Sequence, residues 1–335
     1  MTPLRTLLAA ALTLLVVAPA VAETDVKFAL DWKFEGPSAP YFVALDKGYY
    51  KAEGLNVTID SGPGSVAGIA RVAAGTYPIG FFDINSLMKF RDQNPDKAVK
   101  AVLMVYDEPP FSIVTLKKTG IAKPKDLEGK TLGAPAPDGA FAQWKAFVKE
   151  NGIDADKVKI ENVGFPVREP MLAAGQVDAF TGFSFSSFFN LRQKGVPAED
   201  IVVLLMSKYG LVLYGNAIMV NPDYAKAHPE VVKGFVRATI KGIIETARDP
   251  KAAIASVMKR NETADEAIEL ARLEMALRDN IVTAWVKANG VGDVDPARLA
   301  KSIDQVAITY DFKAKPTASD IFTGAYLPPV ADRKL

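Results

Sequence analysis

Short apolar runs alternate with longer amphipathic stretches along most of the chain. Apolar runs of four to six residues bounded by glycine or polar residues are typical of strands. Apolar residues at helical spacing followed by glycine are typical of helices with a glycine C-cap. The pattern predicts strands at Val26–Leu30, Asn56–Ile59, Ile79–Phe82, Thr131–Ala134, Lys159–Val163 and Asp178–Thr181, and helices at Pro40–Glu53, Ile69–Ala74, Phe141–Asn151 and Glu169–Ala174. Strands and helices in alternation indicate an α/β fold.

The same order of elements occurs twice, about a hundred residues apart. The first copy contains ARVAAGTYPIGFFD and the second contains EPMLAAGQVDAFTGF. Each stretch reads as a short helix, an Ala-Ala-Gly stop and a strand that opens into a loop. Several elements that match in order indicate two similar lobes.

Two segments connect these lobes. Residues 101–118 and 201–221 each read as a strand, a break and a second strand, and the chain from Pro222 to about Ile308 is mostly helical. We therefore expect a two-lobed fold in which each lobe is a central sheet flanked by helices. Lobe 1 comprises residues 23–110 and 216–335, lobe 2 comprises residues 111–215, and two crossover strands form a hinge beside a ligand cleft.

The first residues read as a secretory signal. Arg5 precedes an apolar run from Leu7 to Ala18, and Ala20-Val21-Ala22 has the small-x-small form of a signal peptidase site. The run is too short to span a bilayer comfortably. We predict a signal peptide over residues 1–22, cleavage after Ala22 and a periplasmic mature protein.

Composition excludes several function classes. The 335 residues are 49% hydrophobic and 24% charged, with a formal net charge of +1, which argues against a nucleic-acid partner. The absence of cysteine removes thiol nucleophiles and thiolate metal sites. The single histidine, His228, reads as a surface residue at the start of a helix, so triads and histidine-rich zinc sites lack their usual residues. We expect a monomer without enzymatic activity, cofactor or metal.

Candidate ligand-binding residues follow the strands. In open parallel sheets, ligands bind beyond the carboxyl ends of the strands. That rule selects loops rich in rings and short polar side chains. The candidates are Asp31, Trp32, Phe34, Ser38, Tyr41, Gly64, Ser65, Phe82, Asp83, Asn85, Pro137, Asp138, Gly139, Phe183, Phe185 and Tyr214. Core packing of the aromatic residues, and capping of backbone N–H groups by Asp31 and Asp138, are open alternatives.

The opening of the chain resembles a known family of substrate-binding proteins. Leu30-Asp31-Trp32, Lys47-Gly48-Tyr49-Tyr50 and Gly54-Leu55-Asn56-Val57 resemble motifs of the nitrate/sulfonate/taurine class of ATP-driven (ABC) importers. They are closest to its NMT1/THI5-like branch, the thiamine-pyrimidine binding and synthesis proteins. DLEGKTLGAP and LAAGQVDAFTG resemble two stretches of the second lobe. The resemblance implies the type II fold of periplasmic binding proteins and a membrane permease as partner.

The resemblance also implies a small ligand, of aromatic or pyrimidine-like chemistry. Pyrimidine-binding members usually have Pro-Asn where this chain has Lys33-Phe34-Glu35-Gly36-Pro37, and this departure weakens the inference of a pyrimidine. One alternative is a small anion such as a sulfonate, taurine or nitrate, held by N–H groups at Gly64-Ser65 and 138–140, with Arg168 the single nearby arginine. A second alternative is an exported enzyme. The related synthases need a pocket histidine and cysteines, which argues against that alternative here.

Overall fold

The computed structural model describes residues 23–335; the predicted signal peptide lies outside the described residues. Within this range, ten strands form two five-stranded sheets. The strands are β1 (Thr24–Ala29), β2 (Leu55–Asp60), β3 (Ile79–Asp83), β4 (Lys100–Met104), β5 (Phe111–Leu116), β6 (Thr131–Ala134), β7 (Lys159–Asn162), β8 (Ala179–Phe183), β9 (Ile201–Leu205) and β10 (Asn216–Val220).

The two sheets have the same topology. The first has the order β2-β1-β3-β10-β4 and the second β7-β6-β8-β5-β9. In each, three strands run parallel, and one strand from a connecting segment lies antiparallel between a parallel strand and the edge. The chain therefore crosses between sheets twice, from β4 to β5 and from β9 to β10. This placement supports the predicted lobe boundaries at residues 110/111 and 215/216, which remain a prediction.

Helices cover both faces of the sheets. They are α1 (Ala39–Asp46), α2 (Tyr49–Ala52), α3 (Ser65–Ala73), α4 (Ile84–Gln93), α5 (Gly139–Ala142), α6 (Trp144–Asn151), α7 (Arg168–Ala173), α8 (Ser184–Gln193), α9 (Pro222–Ala227), α10 (Pro229–Arg248), α11 (Pro250–Met258), α12 (Glu266–Ala276), α13 (Ala284–Asn289), α14 (Pro296–Tyr310) and α15 (Ala318–Ile321). A π-helical turn at Leu277–Ile281 follows α12. Single 3₁₀ turns lie at Gly36–Ser38, Lys117–Thr119, Pro124–Leu127, Ala155–Lys157, Ala198–Asp200, Met206–Tyr209 and Val330–Arg333.

Two predicted helices are each divided in the structure. The prediction of one helix over Pro40–Glu53 is wrong, because Gly48 adopts a left-handed conformation with φ 70° and separates α1 from α2. The predicted helix Phe141–Asn151 begins earlier, at Gly139, and is interrupted at Gln143. Predicted strands coincide with observed strands to within one or two residues. His228 is exposed immediately before α10, as expected.

The C-terminal helices complete the first lobe and also reach the second. Helix α10 packs against α1, and Gly242 is needed there, because a Cβ atom would lie 2.1 Å from the Pro40 carbonyl oxygen. Helix α12 contacts the turn at Gly36–Ser38 on one side and α8 on the other, so it touches both lobes. Within residues 23–335, no helix combines the length and apolar character needed to cross a bilayer.

Candidate functional site

A cavity lies where the carboxyl ends of the parallel strands of the two sheets face each other. It holds about 840 Å³ of empty space, part of it continuous with solvent. Both lobes contribute to its wall. The lining residues are Leu30, Asp31, Trp32, Lys33, Glu35, Pro37, Ser38, Tyr41, Gly64, Ser65, Phe81, Asp83, Ser86, Tyr106, Pro137, Asp138, Gly139, Phe165, Arg168, Phe183, Phe185 and Ser186.

Most of the residues predicted from the sequence line this cavity. From the first lobe these are Asp31, Trp32, Ser38, Tyr41, Gly64, Ser65 and Asp83; from the second they are Pro137, Asp138, Gly139, Phe183 and Phe185. The other predicted residues, Phe34, Phe82, Asn85 and Tyr214, are not among the lining residues. The structure therefore gives no geometric support for a ligand contact by these four residues. That the predicted residues in the cavity wall bind the ligand remains a prediction.

Phe82 points away from the cavity because of the alternation of side chains along β3. Phe81 and Asp83 line the cavity, so the residue between them faces the opposite side of the sheet. There the ring of Phe82 lies between Gly68 and Gly80, where an added Cβ atom would lie 1.9 Å and 2.1 Å from the ring. Phe82 is a core residue. Counting back two residues from Asp83 would have selected Phe81 from the sequence.

The other three residues outside the cavity contact other parts of the protein. The ring of Phe34 packs edge-on against Phe42, with 4.9 Å between ring centroids. Asn85 donates from Nδ2 to Asp83 Oδ1 at 2.8 Å and to the Tyr214 carbonyl oxygen at 2.8 Å. The Tyr214 hydroxyl accepts from the backbone N–H of Asp295 at 2.8 Å.

Several lining residues were not among the predicted site residues. They are Leu30, Lys33, Glu35, Pro37, Phe81, Ser86, Tyr106, Phe165, Arg168 and Ser186. Phe165 lies after β7 on the loop before α7, and its ring meets Trp32 edge-on across the cleft, with 5.3 Å between centroids. The strand-end rule could have found Phe165, because β7 is also a parallel strand. Tyr106 lies on a hinge segment, which that rule does not cover.

Asp31 follows β1 and is held in an environment that favours its neutral form. Asn216 donates from Nδ2 to Asp31 Oδ2 at 2.7 Å. Burial raises the pKa of Asp31 to about 7, and the nearby carboxyl groups of Asp83 and Glu35 add to the increase. Asp31 therefore changes its protonation near neutral pH, and it serves as an acceptor when ionised and as a donor when protonated.

Asp83 has a structural role at the same edge of the sheet. It is the N-cap of α4, and its carboxylate accepts from the backbone N–H groups of Asn85 at 3.1 Å and Ser86 at 2.7 Å. The Ser86 hydroxyl donates to the same carboxylate at 2.7 Å. Burial raises the pKa of Asp83, and these hydrogen bonds oppose the increase. Most of its acceptor capacity is used inside the protein.

Asp138, on the second lobe, retains an acceptor that no described residue satisfies. Its Oδ1 accepts from the Ala140 N–H at 3.3 Å, whereas Oδ2 is buried without a hydrogen-bond partner within residues 23–335. The Thr181 hydroxyl lies near this carboxyl but completes no hydrogen bond with it. Burial raises the pKa of Asp138, and the charge of Arg168 opposes the increase. A buried, unsatisfied oxygen in a cavity wall is a place for a ligand donor.

Arg168 faces the cavity with its charge already compensated. Its Nε donates to Glu169 Oε1 at 3.0 Å and its Nη1 to the Thr181 carbonyl oxygen at 3.3 Å. The guanidinium lies 5.3 Å from the ring centroid of Phe165 and 5.4 Å from that of Phe180. Stacking and pairing hold the side chain rigidly between rings.

A polar network joins the lobes at the edge of the cavity. The Ser186 hydroxyl of α8 donates to Glu35 Oε2 at 2.8 Å across the cleft. Arg272 of α12 lies 3.4 Å from the same oxygen, and its Nη1 also donates to the Ser186 carbonyl oxygen at 3.2 Å. Nearby Glu269 accepts from the Gly36 N–H at 2.6 Å. Glu35 and Arg272 therefore connect the loop after β1 to the second lobe.

A second polar group holds the hinge. Arg298 of α14 donates to Asp107 Oδ1 at 3.0 Å and to the carbonyl oxygens of Asp107 at 2.6 Å and Leu213 at 2.7 Å. Its guanidinium lies 4.1 Å above the ring centroid of Tyr214. Asp107 belongs to one crossover segment and Leu213 to the other, so a single side chain fixes both.

Comparison with known proteins assigns the chain to a family. The family model described as "NMT1/THI5 like" matches residues 36–253. The chain belongs to the NMT1/THI5-like family. The matched region includes both sheets, apart from the first strand, and most of the residues that line the cavity. The resemblance seen in the sequence is confirmed.

Curated relatives of this NMT1/THI5-like protein include binding proteins and enzymes. A riboflavin-binding protein of Chloroflexus aurantiacus is 28% identical over 216 residues, which are 63% of this chain and 59% of the relative. The match thus spans about three fifths of that relative's length. A formylaminopyrimidine-binding protein of Halalkalibacterium halodurans is 26% identical over 72% of each chain. A 4-amino-5-hydroxymethyl-2-methylpyrimidine phosphate synthase of Aspergillus parasiticus is 25% identical over 68% of each chain.

Solved structures confirm the fold. The periplasmic aliphatic sulphonate binding protein of Escherichia coli superimposes with a TM-score of 0.71 at 12% identity, covering 89% of this chain and 92% of the other. The NMT1/THI5-like chain therefore has the two-lobed α/β fold of periplasmic binding proteins. At this identity the likeness concerns the fold alone.

Proposed function

We propose that this protein binds a small, flat nitrogen heterocycle in the cavity between its lobes and delivers it to an ABC importer as an exported, periplasmic binding protein. The observation that carries the proposal is the wall of the cavity. Rings from both lobes surround a space that also contains carboxyl groups and no uncompensated arginine among the described residues. Rings stack on a flat ligand, and carboxyl groups accept from its N–H groups.

The aromatic side chains lie on opposite sides of the cavity. Trp32 and Tyr41 come from the first lobe, Phe183 and Phe185 from the second, and Tyr106 from the hinge. Closure of the lobes on a flat ligand would bury both of its faces. Differential affinity for the closed form is what allows a ligand to shift the equilibrium between open and closed lobes.

The polar groups of the cavity favour a ligand with N–H donors over an anion. Asp31 and Asp138 present carboxyl oxygens, and one oxygen of Asp138 has no partner within residues 23–335. Arg168 is committed to Glu169 and to a backbone carbonyl. A sulfonate or nitrate would meet two carboxyl groups and an arginine already paired with Glu169. The other cation of the wall, Lys33, is exposed, with its Nζ 5.9 Å from the ring centroid of Trp32. Names of relatives support a heterocycle, since riboflavin and formylaminopyrimidine are both heterocyclic.

Enzymatic activity is the second candidate, because one relative is named as a pyrimidine phosphate synthase. Within residues 23–335, no group of three or more histidine or acidic residues is placed to hold a metal. The sole histidine, His228, lies on the surface before α10, and no cysteine occurs in the chain. The groups that face the cavity support binding, and we propose a protein that returns its ligand unchanged.

The test is isothermal titration calorimetry with a panel of lumiflavin, riboflavin, 4-amino-5-hydroxymethyl-2-methylpyrimidine, methanesulfonate and nitrate. We expect saturable binding of at least one heterocycle and none of the anions. Trp32→Ala should weaken heterocycle binding about tenfold or more, because the lost ring contacts amount to more than 1.4 kcal/mol. Trp285→Ala on α13 is the matched control, since Trp285 is also half-buried but lies outside the cavity.

Three results would contradict the proposal. Binding of an anion without any heterocycle would favour the alternative ligand class. Unchanged affinity in Trp32→Ala would remove this ring from the site. Recovery of a chemically altered heterocycle after incubation, detected by liquid chromatography with mass spectrometry, would favour an enzyme.

A further inference from the structure

A second cavity adjoins the first. Ser86, Pro137, Asp138 and Gly139 line both, so the two spaces meet along the Asp138 loop. The residues that line only the second cavity are Val66, Ile69, Lys89, Phe90, Gln93, Ala136, Phe141, Ala142, Trp144, Lys145, Thr309 and Tyr310. They lie on α3, α4 and the end of α14 on one side, and on the loop before α5, the end of α5 and the start of α6 on the other. The second cavity is thus a continuation of the space between the lobes.

The wall of the second cavity combines rings with polar groups. Phe90, Phe141, Trp144 and Tyr310 provide aromatic surface, and Lys89 Nζ lies 4.9 Å from the ring centroid of Tyr310. Such a wall suits a substituent with an apolar backbone and polar branches.

A buried polar side chain where the two cavities meet is unsatisfied. Asp138 is 3% exposed, and its Oδ2 has no hydrogen-bond partner within residues 23–335. Buried polar groups are nearly always hydrogen-bonded. The free acceptor of Asp138 therefore favours a ligand group that donates a hydrogen bond.

We propose that the second cavity is a subsite for a neutral, hydroxylated chain attached to the heterocycle that occupies the first. Asp138, where the cavities meet, accepts from the hydroxyl nearest the ring, and the rings of Phe141 and Tyr310 contact the carbon backbone of the chain. This inference rests on the proposed function, because it presupposes that the ring lies in the first cavity.

The chemistry of the wall selects a neutral chain over a charged one. An anionic group next to the ring would lie beside the carboxyl group of Asp138, where the cavities meet, although Lys89 and Lys145 line the second cavity. A cationic substituent would meet Lys89 and Lys145, which both line the second cavity. A purely alkyl chain would leave Asp138 Oδ2 unsatisfied. Hydroxyl groups satisfy the acceptor and avoid both charge conflicts.

The experiment compares two probes that share one ring system. Riboflavin carries a ribityl chain on its isoalloxazine ring, and lumiflavin carries a methyl group at the same position. Ala142→Phe fills the second cavity from a half-buried position that does not line the first. Ala255→Phe places the same added ring at an exposed position on α11, remote from both cavities, and is the control.

We expect the wild-type protein to bind riboflavin at least tenfold more tightly than lumiflavin in calorimetric titration. Ala142→Phe should abolish that difference and leave lumiflavin affinity unchanged, and Ala255→Phe should retain it. Equal affinities in the wild-type protein, or unchanged riboflavin affinity in Ala142→Phe, would overturn the subsite while the heterocycle site stands. Failure of both flavins to bind would also overturn the subsite. The proposed function would then depend on the titration with 4-amino-5-hydroxymethyl-2-methylpyrimidine, and failure of this pyrimidine to bind would overturn the proposed function as well. Loss of lumiflavin binding in Ala142→Phe would also count against two separable cavities.

Discussion

Two strand-to-helix units, one in each lobe, share a backbone design and differ in the residue at their junction. β3 and α4 run from Ile79 to Gln93, and β8 and α8 run from Ala179 to Gln193, so equivalent positions differ by one hundred. In each unit the residue after the junction donates its backbone N–H to a hinge carbonyl, Gly215 in the first lobe and Pro110 in the second. The junction itself is Asp83 in one unit and Phe183 in the other.

The residues at the two equivalent junctions have different roles. Asp83 is fully buried and satisfies the first N–H groups of α4. Phe183 gives no side-chain cap to α8, and its ring lines the cavity. The first lobe uses the junction to stabilise its helix, whereas the second places a ring in the cavity wall. As a result, the first N–H groups of α8 receive no hydrogen bond from the side chain at the junction.

The largest expected effect concerns the two junction residues. Asp83→Ala removes the acceptor of two backbone N–H groups and of the Ser86 hydroxyl, and it should lower the free energy of unfolding by about 3 kcal/mol. Phe183→Ala removes a half-buried ring and should lower it by about 1 kcal/mol. Urea denaturation followed by circular dichroism measures both.

Ligand titration of the same variants separates the two roles. Phe183→Ala should weaken heterocycle binding about fivefold or more, because its ring forms part of the cavity wall. A Phe183 variant with full affinity and a large loss of stability would show that this ring is a core residue, and the contrast between the lobes would fail.

The next prediction concerns the acid at the end of β1. Its folded-state pKa of about 7 lies above the ordinary 3.8. Between these values the folded protein retains a proton that the unfolded chain has lost, so stability falls as pH rises through this window. Asp31 should account for a loss of about 2 kcal/mol between about pH 5 and pH 7, since each unit corresponds to about 1.4 kcal/mol.

Asp31→Asn isolates this contribution, because the amide does not titrate. The pH-dependent contributions of all other groups are the same in the variant and the wild-type protein, so they cancel when the two are compared. Denaturant titrations of both proteins at the two pH values should show a smaller decline for the variant. Parallel pH dependences in the two proteins would show that Asp31 remains ionised throughout, as expected if the Asn216 hydrogen bond outweighed burial.

Much of this architecture could be predicted from the sequence, and the exceptions have physical causes. The repeated unit, the crossovers and most cavity residues follow from periodicity and from the strand-end rule. The strand-end rule predicts Phe82 in the cavity because this residue ends the predicted strand Ile79–Phe82, although β-strand alternation places Phe81 there. The network of Glu35 and Arg272 joins residues more than two hundred positions apart. Such a contact cannot be predicted from a local sequence pattern, because only tertiary packing brings α12 to the cleft.

The smallest expected effect concerns Ser86 and Ser186, which occupy equivalent positions in the two units. The Ser86 hydroxyl donates to Asp83 within its own unit, whereas the Ser186 hydroxyl donates across the cleft to Glu35. Ser86→Ala should therefore lower the free energy of unfolding by about 1 kcal/mol. Ser186→Ala should change it by less, because Arg272 continues to pair with Glu35.

Ser186→Ala should instead favour the open lobes and weaken ligand binding about threefold, since a hydrogen bond that forms only between lobes contributes to closure. Small-angle scattering of the ligand-free protein should give a larger radius of gyration for Ser186→Ala than for Ser86→Ala. Identical radii and equal affinities would mean that Arg272 alone holds the lobes together at the mouth. The serine at the second junction would then share the sequence position of its counterpart without a distinct role in closure.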